Sequence, residues 1–288
     1  MNVTEPQENP LVPNKKLRQM YTAMVESRIL DEHIAKSQAK AKTRLESMRG
    51  QEACRVSTAI ELASGDLVSN SQPGIVMDHI LGANTNFLSK RLSSLLAPKK
   101  TVDLTGPKQL PWIEAGNDRL FLAAGTALAF KSSKQTSLVV VYVSRHQARG
   151  GSWRRLLTLT AQLELPIIFV VLPGEAAGRR AESVSRVSAK ARSCGLPGIP
   201  VDASDAVALY RVTQESMGRI RIGGGAVVID CVTYPIHGKR PDPLKQMKSF
   251  LLEKKVSTAT WLDQAGNPFL KKLQKLPQNH RKNNNLQK

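Results

Sequence analysis

Two short runs of β-branched apolar residues, Leu138–Val143 and Ile167–Leu172, constrain this chain more than any other feature. Runs of this composition, without polar alternation, suit strands buried on both faces. Between them a Gly150-Gly151-Ser152 start leads into Leu156, Leu157, Leu159, Leu163 and Leu165, apolar residues at roughly helical spacing. Strand, turn, helix and strand within about thirty residues make a βαβ unit of a parallel sheet, with a right-handed crossover. Such sheets take their ligands at the carboxyl ends of the strands. Those ends carry Ser144-Arg145-His146 and Pro173-Gly174-Glu175, so a ligand is expected beside these residues.

The remaining pieces fit the same class. Ala226–Val232 is a third buried run, and Gly198–Asp202 is a shorter strand leading into a helix over Ser204–Ile222 that ends at Gly223-Gly224-Gly225. Leu17–Ala39 and Leu244–Lys255 read as amphipathic helices, and Leu120–Lys131 as a helix of small residues. Another helix follows Gly50 and stops at Gly65, a natural C-cap. Residues 68–118 are expected as loops and short helices, and Ser183–Ser193 as a mobile segment or a short helix. The pattern predicts a doubly wound α/β domain, a parallel sheet with helices on both faces, over residues 14–275. An extended arm is expected at 1–13 and a basic, disordered tail at 276–288.

Composition narrows the partners. At 288 residues the chain can bury one large core. A formal charge of +19 either draws anionic partners or reflects a solvated basic surface. Aromatic residues are only 5% of the chain and no nucleic-acid motif accompanies the basic residues, which argues against recognition by base stacking. No apolar run approaches the ~18 residues of a membrane span. The first residues lack the apolar core of a signal peptide, so a cytoplasmic location without membrane contact is expected. Cys54, Cys194 and Cys231 show no metal-ligand spacing and are expected as buried free thiols.

A series of motifs occurs in order: Arg49-Gly50-Gln51-Glu52-Ala53, Gly65-Asp66, Leu165-Pro166-Ile167-Ile168-Phe169-Val170, Gly195-Leu196-Pro197-Gly198-Ile199-Pro200-Val201-Asp202, Thr233-Tyr234 and His237-Gly238. Together they resemble the alpha subunit of the thiamine-diphosphate-dependent 2-oxo acid dehydrogenases, from about Leu17 to about Asp263. The resemblance implies the thiamine-diphosphate-binding fold, an oxidoreductase ancestry, thiamine diphosphate and Mg²⁺ as the family's cofactors, and pairing with itself or with a beta-like subunit.

The elements that carry the family's chemistry depart from its pattern. The strand matching Val139–Val143 ends in the family in Gly-Asp-Gly, whose aspartate ligates Mg²⁺; Ser144, Arg145 and His146 stand there. A second ligand, the asparagine of a Glu-Asn-Asn stretch, is replaced by Leu172, Pro173 and Gly174. A diphosphate-contacting Tyr-Arg pair aligns with Gln72 and Pro73. In the loop that carries an active-site histidine, His237 remains, but Lys239 and Arg240 replace the second histidine and the serine. Mg²⁺ requires hard oxygen ligands, so loss of metal binding and of thiamine diphosphate is expected.

Each remaining candidate has a plainer reading beside it. His146 can be a base or a phosphate ligand, or simply a solvated residue, and His237 a residual catalytic group or a relic. Arg145, Arg149, Arg154 and Arg155 gather at a strand end and helix start, where a phosphate-bearing ligand can bind, or where they are only salt-bridged surface. Three functions therefore stand open. One is a diverged, non-catalytic alpha-like subunit, structural or regulatory; another is an active decarboxylating dehydrogenase with a remodelled site. The third is a phosphate- or nucleic-acid-binding protein on the same scaffold.

Overall fold

The buried runs pair side by side in the computed structural model, which describes residues 8–38, 47–72, 74–96, 106–113, 115–174, 185–234 and 239–275. The elements in chain order are α1 (Asn14–Gln38), α2 (Glu52–Ala59), β1 (Leu67–Ser69), α3 (Ile75–Ile80), α4 (Thr85–Leu96), α5 (Gly116–Ser132), β2 (Val139–Val143), α6 (Gly151–Gln162) and β3 (Ile167–Val171). There follow α7 (Ser185–Ser193), β4 (Gly198–Asp202), α8 (Ala206–Arg221), β5 (Val227–Val232), α9 (Pro243–Glu253), α10 (Ala259–Gln264) and α11 (Asn267–Gln274). The strands form one sheet in the order β1-β2-β3-β5-β4, with every neighbouring pair parallel.

Alternation along the strands divides the core between two layers. Val139, Val141, Val143, Ile167, Phe169 and Val171 pack with residues of α5, α6 and α7. Val140, Tyr142, Ile168, Val170, Ile229 and Cys231 pack with residues of α1, α2 and α8. Because successive strand side chains point to opposite faces, an uninterrupted apolar run can serve both layers. The expected doubly wound parallel sheet is what forms. A smaller apolar cluster joins the end of α1 to α3, α4 and α11 through Leu30, Ile34, Ile75, Leu88 and Phe269.

Several motif residues hold this scaffold. Asp66, fully buried, accepts hydrogen bonds from the backbone N–H of Ala63 and Leu138 and pairs with Arg221 at 2.6 Å. It thereby ties the start of β1 to the start of β2 and the end of α8. Glu52 pairs with Arg28 of α1, which also forks onto Asp242, the N-cap of α9. A Cβ at Gly198 would lie 2.3 Å from the backbone oxygen of Ser188, so only glycine lets α7 settle on β4.

Two expectations need correction. Residues 68–118 were expected without strand, yet Leu67–Ser69 is the edge strand β1, paired to Val139–Val141. Three residues with one β-branched member carry too little pattern to register as a strand. Residues 8–13 were expected as an extended arm. They turn instead: the Asn9 side chain accepts from the N–H groups of Leu11 and Val12, and Val12 is buried in the core. The Ser183–Ser193 segment is helical from Ser185. Residues 1–7 and the tail at 276–288 lie outside the described residues.

Candidate functional site

The strand ends that the sequence singles out lie side by side at the carboxyl end of the sheet. β2 ends at Val143, and Ser144 to His146 lead into a single 3-10 turn, Gln147–Arg149, before α6 begins at Gly151. Gln147 organises this turn: its Oε1 accepts from Ser144 N at 3.1 Å, from Ser144 Oγ at 3.2 Å and from Arg119 Nη2 at 3.2 Å. Pro173 is buried and Gly174 half-buried just beyond β3.

The four arginines of the sequence do not converge. Arg145 reaches across the carboxyl end of β3, its stem passing Gly174, where a Cβ would stand 3.4 Å from Arg145 Cδ. Its Nη2 donates to Asp230 Oδ1 and to the Cys231 carbonyl, both at 2.6 Å. Asp230 is buried in β5, and its other oxygen accepts from Ser188 Oγ at 3.1 Å. Arg145 therefore links the ends of β2 and β5 and is the counter-charge of a buried carboxylate. Arg149, Arg154 and Arg155 are exposed. Arg154 and Arg155 border an open hollow of about 410 Å³ along α6, with Gly151, Thr158, Leu159 and Gln162. His146 is exposed on the turn. His237, Pro73 and Glu175 lie outside the described residues. Lys239 is exposed, while Arg240 Nη2 donates to the Gly50 carbonyl at 3.2 Å.

The residues at these strand ends do not suit a divalent cation held in the family's manner. At the position where the resemblance implies an aspartate ligand stands a guanidinium that neutralises the nearest buried carboxylate. Among the described residues, no group of three or more His, Cys, Asp or Glu side chains is placed to hold a metal ion.

Two arginines that sequence reasoning missed lie deeper. Arg55 of α2 and Arg119 of α5 approach the end of β1 from opposite faces of the sheet, at 1% and 2% exposure. Arg55 donates from Nη1 to Asn70 Oδ1 at 2.8 Å, from Nε to Gln51 Oε1 at 3.0 Å and from Nη2 to Ser71 Oγ at 3.4 Å. Its guanidinium also lies 4.9 Å from the centre of the Tyr142 ring. Arg119 Nη1 donates to Ser69 Oγ and to the Tyr142 carbonyl, each at 3.2 Å. Burial pushes the Arg55 pKa down; burial and the charge of Arg55 together push Arg119 down to about 10. The available signal was an arginine inside the otherwise small and apolar helix after Gly50.

The cysteines are resolved by packing as well. Cys54 and Cys231 are fully buried in the same apolar layer, and Cys54 Sγ donates to the Ala203 carbonyl at 3.4 Å. Its contact with Cys54, reinforced by burial, holds the Cys231 thiol well above the usual thiol range, so it stays neutral and unreactive. No helix among the described residues is long and apolar enough to cross a membrane.

Comparison with known proteins places these features in a family. The family model described as the dehydrogenase E1 component matches residues 21–258. The alpha subunit of acetoin:2,6-dichlorophenolindophenol oxidoreductase from Bacillus subtilis (strain 168) is 31% identical over 121 residues, covering 41% of this chain and 36% of that protein. The alpha subunit of 3-methyl-2-oxobutanoate dehydrogenase from Mycobacterium tuberculosis (strain H37Rv) is 27% identical over 243 residues, covering 81% and 65%. The alpha subunit of the pyruvate dehydrogenase E1 component from Porphyra purpurea is 28% identical over 136 residues, covering 40% of each. The chain thus spans less than two thirds of the length of each of these relatives.

Proposed function

This chain belongs to the dehydrogenase E1 component family, and from that premise we propose that it is a non-catalytic alpha-like subunit, retained for its fold and its pairing surface. The observation that carries the reading is the Arg145–Asp230 pair at 2.6 Å, at the strand end where the family resemblance implies an Mg²⁺ ligand. A diphosphate and its metal need an acidic or neutral oxygen donor there. An arginine already tied to Asp230 and the Cys231 carbonyl supplies neither a ligand nor an uncommitted positive charge. Pro173, buried at the second position, has no side-chain donor. The motifs that hold the scaffold, by contrast, keep their contacts: Asp66 with Arg221, and Glu52 with Arg28.

Three of the relatives are alpha subunits by name, which favours a partner chain here too, either a second copy or a beta-like subunit. The outer side of α5 supports this: Phe121 and Leu128 are exposed, and Gly125 has open space before it. Calorimetry tests the central claim. Thiamine diphosphate titrated into the full chain with Mg²⁺ is expected to give no binding heat, and micromolar, Mg²⁺-dependent binding overturns the reading. Light scattering tests the partner claim, with a mass well above the 31.6 kDa of one chain expected for the protein alone or with its co-purifying partner. A monodisperse single chain with nothing co-purifying refutes it.

A further inference from the structure

We propose that the outer faces of α6 and α7 form a docking surface for an acidic protein segment, one that lays carboxylates on Arg154 and Arg155 and an apolar side chain on Leu159. The two helices lie side by side on one layer of the sheet. Val187 and Ala191 of α7 share a core with Leu156 and Leu157 of α6. Lys190 Nζ donates to the Arg149 carbonyl at 3.5 Å, and a Cβ at Gly195, just past α7, would stand 3.8 Å from the Ala161 Cβ. Burying that inner side turns the polar side of both helices to solvent. There α6 carries Arg154 and Arg155, α7 carries Arg186, Lys190 and Arg192, and neither helix has an acidic residue.

The surroundings do not balance this charge. Beside α6, the exposed carboxylates among the described residues are Asp118, in the first turn of α5, and Glu164, which pairs with Lys131. Beside α7, Asp230 is held by Arg145 and Ser188, and Asp202 accepts from Ser204. The stretch 175–184 lies outside the described residues and carries two glutamates and two arginines, so it alters no net charge. A hollow adds shape to the charge. Its volume is about 410 Å³, and its lining runs from Gly151 to Gln162 with Arg154 and Arg155 at the border. At a rise of 1.5 Å per residue that is about 16 Å of helix. Leu159 lies in the lining at 37% exposure, and Leu163, equally exposed, follows it at the helix end. An apolar strip rimmed by cations suits a segment that carries apolar and acidic residues together.

The chemistry of the surface selects the occupant. Arginine forks pair with carboxylates through two parallel hydrogen bonds, and complementary charge decides which partner docks. A second copy of this chain, at a net charge of +19, is a poor source of carboxylates. Nucleic acid would meet the charge, but its bases find nothing to stack on: Trp153, the one aromatic residue of the two helices, is 1% exposed. The leucines likewise have no counterpart in a phosphate backbone. An acidic protein segment answers both the cations and the leucines. This surface is separate from the apolar side of α5, and it stands whether or not the chain binds thiamine diphosphate.

The test titrates the full-length chain into a fluorescein-labelled synthetic peptide of glutamates with a leucine at every fourth position, followed by anisotropy. Salt is kept near 0.15 M, where exposed charges more than about 8 Å apart are largely screened. Saturable binding is expected, and the same peptide with serine for leucine should bind about tenfold more weakly. Arg154→Glu combined with Arg155→Glu should weaken the leucine peptide about tenfold or more. Both positions are exposed, so the thermal midpoint of this variant should stay near that of the wild type. Lys271→Glu combined with Lys272→Glu makes the same change in net charge on α11, which packs on α1 across the sheet, and should weaken binding less than about twofold. Single-stranded RNA of the same charge should bind more weakly than the leucine peptide. Failure of the leucine peptide to bind, equal binding of the leucine and serine peptides, or equal weakening by the two double variants would each overturn the proposal. Tighter binding of RNA, lost in the Arg154 and Arg155 variant, would overturn it in favour of a nucleic-acid surface.

Discussion

At the ends of β2 and β5 an arginine bonds a buried carboxylate directly; at the end of β1 two arginines bond only neutral groups, with the Asp31 carboxylate acting on Arg55 from farther off. Arg145 keeps 16% of its side chain exposed and has Asp230 at 2.6 Å, whereas Arg55 and Arg119 are more deeply buried and have no comparable partner. Desolvating an ion costs several kcal/mol, and an ion pair recovers it only when geometry and further hydrogen bonds are good. The Arg145 pair meets that condition through Ser188 Oγ and the Cys231 carbonyl. The Arg55–Arg119 cluster relies on amides, hydroxyls and the Tyr142 ring. The difference teaches that arginines near the strand ends of one sheet can do opposite jobs. One neutralises a buried carboxylate directly, while the others are held by hydrogen bonds to neutral groups.

Breaking the paired region should have the largest effect. Arg145→Ala strands the buried Asp230 carboxylate and is expected to cost about 3–5 kcal/mol in urea unfolding. Replacing both partners, Arg145→Met with Asp230→Leu, should recover most of that loss. Arg55→Met should cost less than Arg145→Ala, because no carboxylate bonds Arg55 directly and Asp31, which acts on it from farther off, keeps its hydrogen bonds from Ser47 Oγ and the Met48 N–H. Equal losses for Arg145→Ala and Arg55→Met would erase the distinction between the two regions.

A third buried pair offers a sharper measurement through pH. Asp78 is fully buried beside Arg91 at 2.5 Å, with Gln109 Nε2 also at 2.5 Å. Burial raises its carboxyl from 3.8 to about 6, while Arg91 and Gln109 pull the other way. A carboxyl raised on folding binds its proton more tightly in the folded state. Its contribution therefore favours folding below the unfolded value and is lost as pH rises through about 6. The loss between pH 4 and 7 should be on the order of 3 kcal/mol, at roughly 1.4 kcal/mol per pKa unit. Unfolding free energies across that range in the wild type and in Asp78→Asn should show the slope only in the former; parallel curves would mean that the Arg91 pair cancels the cost of burial.

The smallest effect is expected at the exposed arginines. Arg154→Ala and Arg155→Ala should each shift stability by no more than about 0.5 kcal/mol. Pyrophosphate titration of both variants against the wild type, with chelator present, checks whether the hollow along α6 is more than basic surface; a lost response would restore these two to an anion site.

Much of the scaffold was legible because local pattern and burial coincide. The runs at Val139–Val143, Ile167–Val171 and Val227–Val232 are strands because unbroken β-branched residues suit burial on both faces. The edge strand Leu67–Ser69 escaped because its pairing with Val139–Val141, rather than its composition, makes it a strand. At the site, Arg145 was legible as a departure from the family's metal ligand, but its direction was not. Its partner Asp230 is distant in sequence and comes beside it only because β3 sits between β2 and β5. Arg119 was not legible and Arg55 was missed despite its small-residue surroundings in α2, since an arginine in a helix is ordinarily read as surface.

The sequence by itself determined that this chain folds as a parallel α/β sheet with a family's scaffold motifs in order, because alternation, run length and glycine placement act over a few residues. Only the tertiary structure decided which charges answer one another. Whether an arginine is closed by Asp230 or left among amides depends on what the strand order brings within 3 Å of it, and electrostatic cost depends on that distance and on burial rather than on position in the chain.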